Sequence, residues 1–248
     1  METDQLRQYL EFYQDLQIKT LYRRPTAAGA AAPAPEPIVE PVAQTVAKPM
    51  DLPPLAPKDD TLLQILQDIG DCKRCRLHEG RTKLVFGVGD EHAPLVFVGE
   101  GPGADEDAQG IPFIGKAGQL LTAMIEGTSK KEGIPLLRDQ VYICNVVKCR
   151  PPGNRTPEPD EMEICGQFLY RQLSNIRPKA ICALGGTAAR ALTGRKEGVT
   201  KMRGKWFKWQ DIPVMVTYHP SYLLRPYNQA AKREAWEDLK IVLHFVYD

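Results

Sequence analysis

The sequence predicts an α/β fold whose parallel sheet is covered by helices on both faces. Four short apolar runs carry the strands: PLVFVG (94–99), VYICNVV (141–147), KAICALG (179–185) and PVMVTYH (213–219). Helix-like segments at about 61–69, 116–126, 158–174, 186–193 and 229–245 alternate with them, which implies right-handed crossovers. Residues able to do chemistry also gather where these runs end, the place where such sheets bind ligands.

Composition sets the outer bounds. A chain of 248 residues, 43 % hydrophobic and 25 % charged, can bury one ordinary core with a tail beside it. The formal net charge is only +1, so no global basicity announces nucleic acid. The start, METD, has neither a basic nor an apolar leader pattern, and no run of 18 apolar residues occurs. The expectation is a soluble, cytoplasmic protein with no membrane contact, acting as a monomer.

Along the chain, the first element is an amphipathic helix within residues 1–24, where Leu6, Tyr9, Leu10, Tyr13 and Leu21 fall near helical spacing. It is a candidate docking element for a protein partner. Residues 25–57 are rich in Ala and Pro, lack amide donors at each proline and have little to bury, so a disordered, extended linker is expected. The globular texture of residues 58–248 defines the main domain.

The first strand runs into GEGPGADEDAQGIPFIGKAGQLL (99–121), which mimics two phosphate-binding signatures. GIPFIGKA has P-loop spacing, but Ala117 stands where a hydroxyl must hold magnesium and Pro112 deletes an amide. GEGPGA fits the loose dinucleotide pattern, but Pro102 interrupts its amides and Asp105, Glu106 and Asp107 would face a pyrophosphate. The three carboxylates argue that the ligand is no phosphate; glycines equally let backbone approach a flat, neutral ring.

The cysteines add a separate constraint. Cys72 and Cys75 form CKRC, and Cys149 and Cys165 bracket RPPGNRTPEPDEMEI. Four such thiolates close either a tetrahedral zinc site or a cubane iron–sulfur cluster, and spacing leaves both open. Cys144 and Cys182 lie inside strand runs as packing residues, and a disulfide framework is not expected in an intracellular chain.

Taken together, GEGPGADEDAQGIPFIGKAGQLL, NVVKCRPPGNRTP and HPSYLL resemble the family 4 uracil-DNA glycosylases, the iron–sulfur branch of the uracil-DNA glycosylase superfamily. The resemblance covers about residues 61–245 and leaves the tail outside. It implies a three-layer α/β/α sandwich on a four-stranded parallel sheet. It also implies a [4Fe-4S] cluster on Cys72, Cys75, Cys149 and Cys165, and this implication, not spacing, favours iron–sulfur over zinc.

The opening loop is then expected to hold uracil flipped from DNA. By resemblance, Phe113 stacks on the base, the backbone of Glu100, Gly101 and Pro102 lines one edge, and Asn145 reads the edge that separates uracil from cytosine. His219, with Ser221 in the same HPS motif, is expected to stabilise charge growing on the departing base. Family 1 enzymes carry a water-activating aspartate where this chain has Gly101 and a thymine-excluding tyrosine where it has Gly103. Glu100 and Glu106 are the candidates for those tasks. GRKEGVTKMRGKWF, the counterpart of the covalent branch's KRRIH loop, has no histidine, so an adduct-forming reaction is not expected.

Two segments point to DNA. Residues 195–209 hold six basic groups and one acid, net +5, interleaved with Trp206, Phe207 and Trp209, a local phosphate-attracting pattern. By resemblance the loop after HPSYLL enters the minor groove, with Leu223 and Leu224 as the wedge and Arg225 beside them. The predicted function is hydrolytic excision of uracil from DNA at the start of base-excision repair. An iron–sulfur electron-transfer or redox-sensing protein and a zinc-clasped DNA-binding module are the competing readings.

Overall fold

A computed structural model describes residues 60–248. The helix expected within 1–24 and the linker at 25–57 lie outside the described residues.

The sheet has six strands, not the four expected. These are β1 (Val88–Gly89), β2 (Leu95–Gly99), β3 (Tyr142–Asn145), β4 (Ala180–Leu184), β5 (Trp206–Trp209) and β6 (Ile212–Thr217), in the order β1-β3-β2-β4-β6-β5. The middle four correspond to the apolar runs and pair in parallel; β1 and β5 add antiparallel edges. Both edges escaped the sequence reading for physical reasons. β1 is two residues long, and β5 is half solvated, so neither forms an apolar run.

Eight helices pair with the strands among the described residues: α1 (Leu62–Ile69), α2 (Ala104–Gln109), α3 (Lys116–Lys131), α4 (Pro159–Ile176), α5 (Gly186–Thr193), α6 (Val199–Met202), α7 (Pro220–Leu223) and α8 (Gln229–Tyr247). Thr61 starts α1 with a capping box: its hydroxyl accepts from Gln64 N at 3.1 Å, and Gln64 Oε1 accepts from Thr61 N at 2.8 Å. Alternation along each strand divides the core in two. Val96, Val98, Cys144, Ile181 and Val214 face α1, α4 and α5, while Leu95, Phe97, Ile143, Cys182 and Met215 face α3 and α8. Burying both faces leaves only the strand ends open to ligand.

At the far end of β6, Thr217 donates to Asp238 Oδ2 at 2.7 Å, and Arg203 Nε donates to the same oxygen at 3.0 Å. This buried network ties α8 to the strand that leads into the HPS motif.

Candidate active site

A cleft of about 430 Å³ opens at the carboxyl ends of β2, β3, β4 and β6. Glu100, Gly101, Pro102, Glu106, Phe113, Asn145, His219 and Ser221, brought from three chain segments, all line it. Backbone sterics explain the tight fit. A Cβ on Gly99 would lie 2.4 Å from Asn145 Oδ1 and 2.5 Å from Phe113 Cζ, so only glycine lets these side chains meet over the strand end.

The carboxylates of the opening loop now have a structural account. Glu106 is buried, and its Oε1 accepts from Ile114 N and Gly115 N, both at 2.9 Å, while Oε2 accepts from Gly103 N at 3.1 Å. One side chain thus gathers amides from both ends of the loop. Asp107 accepts from Thr82 N at 3.0 Å and anchors the loop to the preceding segment. The brace holds Phe113 at φ 53°, a left-handed conformation that costs a non-glycine residue about 1–3 kcal/mol. Gly118 reinforces it, because a Cβ there would sit 1.9 Å from the Phe113 carbonyl.

Asn145 ends β3 opposite Gly99 and is 1 % exposed. Its Oδ1 has no hydrogen-bond partner among the described residues. An unsatisfied buried acceptor costs about 1–3 kcal/mol, and this one lies in the wall of the cleft.

The Phe113 and His219 rings lie 5.6 Å apart between centroids. Nδ1 of His219 accepts the backbone N–H of Ser221 at 3.2 Å and sits 2.7 Å from Ser221 Oγ. An amide N–H can only donate, so Nδ1 is unprotonated and the neutral ring carries its proton on Nε2. Burial pushes the imidazole down to about 4, against a smaller upward pull from Glu106, so the ring is neutral at physiological pH.

Glu100 Oε2 accepts the hydroxyl of Thr187, at the start of α5. Thr187 was missed in the sequence, although its place just after β4 marks it as a site position by the strand-end rule. Asn154 and Arg155 of the RPPGNRTP loop also line the cleft; Arg155 Nη1 and Nη2 hold Glu161 at 2.8 and 2.7 Å.

The wedge expectation needs a correction. Leu223 is 1 % exposed and packs in the core with α8, whereas Leu224 is 43 % exposed. The sequence alone could not divide the pair, because α7 turns one leucine inward and its neighbour out. Tyr222, beneath Arg225, and Tyr227 add exposed aromatic surface to this loop. In the basic segment, Trp209 is buried against Tyr170, and Arg203 is committed to Asp238. Lys196, Lys201, Lys205 and Lys208 remain exposed.

Away from the cleft, Cys72, Cys75, Cys149 and Cys165 line a single cavity with Ile69, Leu84, Ile164 and Phe168. Cys149 Sγ accepts from Arg81 Nη1 at 3.2 Å, and Cys165 Sγ accepts from Lys148 N at 3.2 Å. Burial raises the Cys75 and Cys149 thiols and pushes Cys165 up to about 12, so these three are not poised as free nucleophiles. Among the described residues no group of three or more His, Cys, Asp or Glu is arranged to hold a metal ion. Four thiols share this space with His78 and Lys148, and two of them accept from N–H donors, a donor set whose chemistry suits a soft metal centre.

This fold, with a cleft at its strand ends lined by Phe113, Asn145 and His219, defines a class: the chain belongs to the uracil DNA glycosylase superfamily, whose sequence model matches residues 86–240. Within it the chain falls in the type-4 family. It is 44 % identical over 190 residues to the type-4 uracil-DNA glycosylase of Thermotoga maritima, covering 75 % of this chain and 96 % of the relative. The type-4 uracil-DNA glycosylase of Archaeoglobus fulgidus is 42 % identical over 73 % of this chain and 91 % of its own length. A type-5 uracil-DNA glycosylase of Pyrobaculum aerophilum is more distant, at 34 % over 62 % of this chain and 71 % of its own.

Proposed function

We propose that this protein is a monofunctional glycosylase that flips uracil out of DNA and hydrolyses its N-glycosidic bond. The observation that carries the reading is the buried, unpartnered Asn145 Oδ1 facing a cleft shared with Phe113 and His219. Uracil presents an N3–H donor beside an O4 acceptor, which a side-chain amide meets with Oδ1 and Nδ2. Cytosine reverses that pattern and leaves buried polar groups unpaired, a mismatch that reaches about 10⁴-fold in discrimination. Phe113 covers the ring face.

As the glycosidic bond breaks, electrons move onto the base and negative charge grows on O2. The neutral His219 donates from Nε2 toward that oxygen, and Ser221 fixes the ring by holding Nδ1. Such a preorganised donor contributes about 3–4 kcal/mol. Glu100, held by Thr187, orients the water that adds to the sugar carbon. Glu106, with three amides on its oxygens, shapes the loop that crowds the base.

Leu224 fills the gap left by the flipped base, and Arg225 with the exposed lysines of 196–208 meets the backbone phosphates. Cys72, Cys75, Cys149 and Cys165 hold a [4Fe-4S] cluster, whose iron–thiolate bonds cross-link the CKRC segment, the strand-end loop and α4. An electron carrier would need the cysteines but would have no use for Asn145 or His219, so that alternative is disfavoured.

The test is incubation with an oligonucleotide holding one uracil, followed by alkaline cleavage. Strand scission at the uracil alone is expected; intact strands from iron-loaded protein would refute the proposal.

A further inference from the structure

Lys148 is 1 % exposed, among the largest fully buried side chains of the protein, and lies between the two sites already described. Its Nζ donates to the backbone carbonyl of Asn145 at 2.8 Å and to Gln172 Oε1 at 2.6 Å. Its own backbone N–H donates to Cys165 Sγ at 3.2 Å, and its carbonyl accepts from Val85 N at 2.9 Å. The next residue is Cys149. Gln172 is fixed in turn, donating from Nε2 to the Phe86 carbonyl and to Tyr142 Oη, both at 3.1 Å.

An amine buried this deeply is expensive unless its environment repays the lost hydration. Both acceptors of Lys148 are neutral amide oxygens, and among the described residues it forms no ion pair with a carboxylate. A [4Fe-4S] cluster held by the four thiolates would carry net negative charge and would set a compensating anion on the cysteine side of this residue.

We propose that Lys148 is a positioning residue that couples the cysteine-held cluster to base recognition, by fixing the Asn145 peptide from one end of its side chain while its backbone N–H holds the cluster ligand Cys165. The coupling is short. Lys148 lies three positions after Asn145, and the carbonyl gripped by Nζ is that of Asn145 itself. The cluster is therefore linked to the specificity of the cleft and not only to the stability of the fold. The inference rests on the proposed roles of Asn145 and the four cysteines.

The test compares wild-type holoenzyme with Lys148→Met, which keeps the length of the side chain and removes its donors. Iron content, circular dichroism, the cluster's reduction potential and calorimetric affinity for free uracil are measured on each. With iron and fold retained, uracil affinity is expected to fall at least tenfold. The potential is expected to shift to more negative values, because removing a neighbouring cation disfavours the reduced cluster. A loaded, folded Lys148→Met protein with either quantity unchanged overturns the proposal.

If that variant loses its fold or its iron, Gln172→Met decides, since it frees the side chain of Lys148 while leaving every cysteine contact in place. A fall in uracil affinity of the folded, iron-loaded variant supports the coupling, and unchanged affinity overturns it; the potential should hold in this variant, because the Lys148 amine stays in place. Wild-type protein without iron, or without affinity for uracil, would instead refute the proposed function on which the inference stands.

Discussion

Replacing Asn145 by Asp changes one atom in the buried recognition edge. Oδ1 still accepts from uracil N3–H, but the Nδ2 donor becomes a second acceptor facing O4. One hydrogen bond is lost and two acceptors are forced together with Asn145 1 % exposed and no solvent to relieve them. At about 1–3 kcal/mol for each, the penalty is about 2–6 kcal/mol, or roughly thirty- to 10⁴-fold in single-turnover excision. Cytosine, which offers an amino donor at that edge, should bind somewhat better. The fold should persist, because Asp is nearly isosteric and Asn145 Oδ1 makes no internal hydrogen bond to lose. The assay is single-turnover kinetics on a uracil-containing duplex, with circular dichroism and the visible absorbance of the cluster as controls. A folded, cluster-loaded variant that excises uracil at the wild-type rate would refute the reasoning.

The remaining predictions use the same substrate. His219 has a folded-state value depressed to about 4 from 6.5, so the stability it lends as a neutral ring is complete above about pH 6.5 and lost as pH falls toward 4. Excision should accordingly stay level over roughly pH 6–8 and decline only in acid; a rate falling steadily from pH 6 to 8 would show that the charged imidazolium is the active form. Gly99→Ala should leave the protein folded but reduce excision about 10²-fold, since its Cβ pushes Asn145 and Phe113 apart; wild-type kinetics would mean the two need not meet. Leu224→Ala should slow excision from duplex more than from single-stranded DNA, while Leu223→Ala should chiefly lower the unfolding free energy, by about 2–5 kcal/mol; the opposite pattern in kinetics and thermal melts would reverse their assignments. Deleting residues 1–57 should preserve activity on short oligonucleotides, and loss of activity from a folded truncation would move the domain boundary.

What the sequence revealed tracks how local each physical signal is. The four middle strands were legible because burial on both faces leaves them apolar, and their helices because 3.6-residue periodicity survives without tertiary context. β5 was not, because WFKW mixes a buried Trp209 with a solvated Lys208, and the same residues were read only as a DNA-binding pattern. The motifs put Phe113, Asn145 and His219 in one site, and strand-end geometry brings them together. They did not reveal what Glu106 touches. Its partners are backbone amides eight and nine residues away, and no residue identity encodes them. Thr187, Gln172 and the division of labour between Leu223 and Leu224 are likewise products of packing.

The central claim is that Asn145 and His219 read and activate one uracil ring stacked on Phe113. A crystal structure of the holoenzyme soaked with free uracil tests it most directly. The account predicts uracil in the cleft, with N3 and O4 each within hydrogen-bond distance of the Asn145 amide, O2 facing His219 Nε2, and the ring lying over Phe113. Uracil bound elsewhere, or bound in the cleft with the Asn145 amide unengaged, would contradict it.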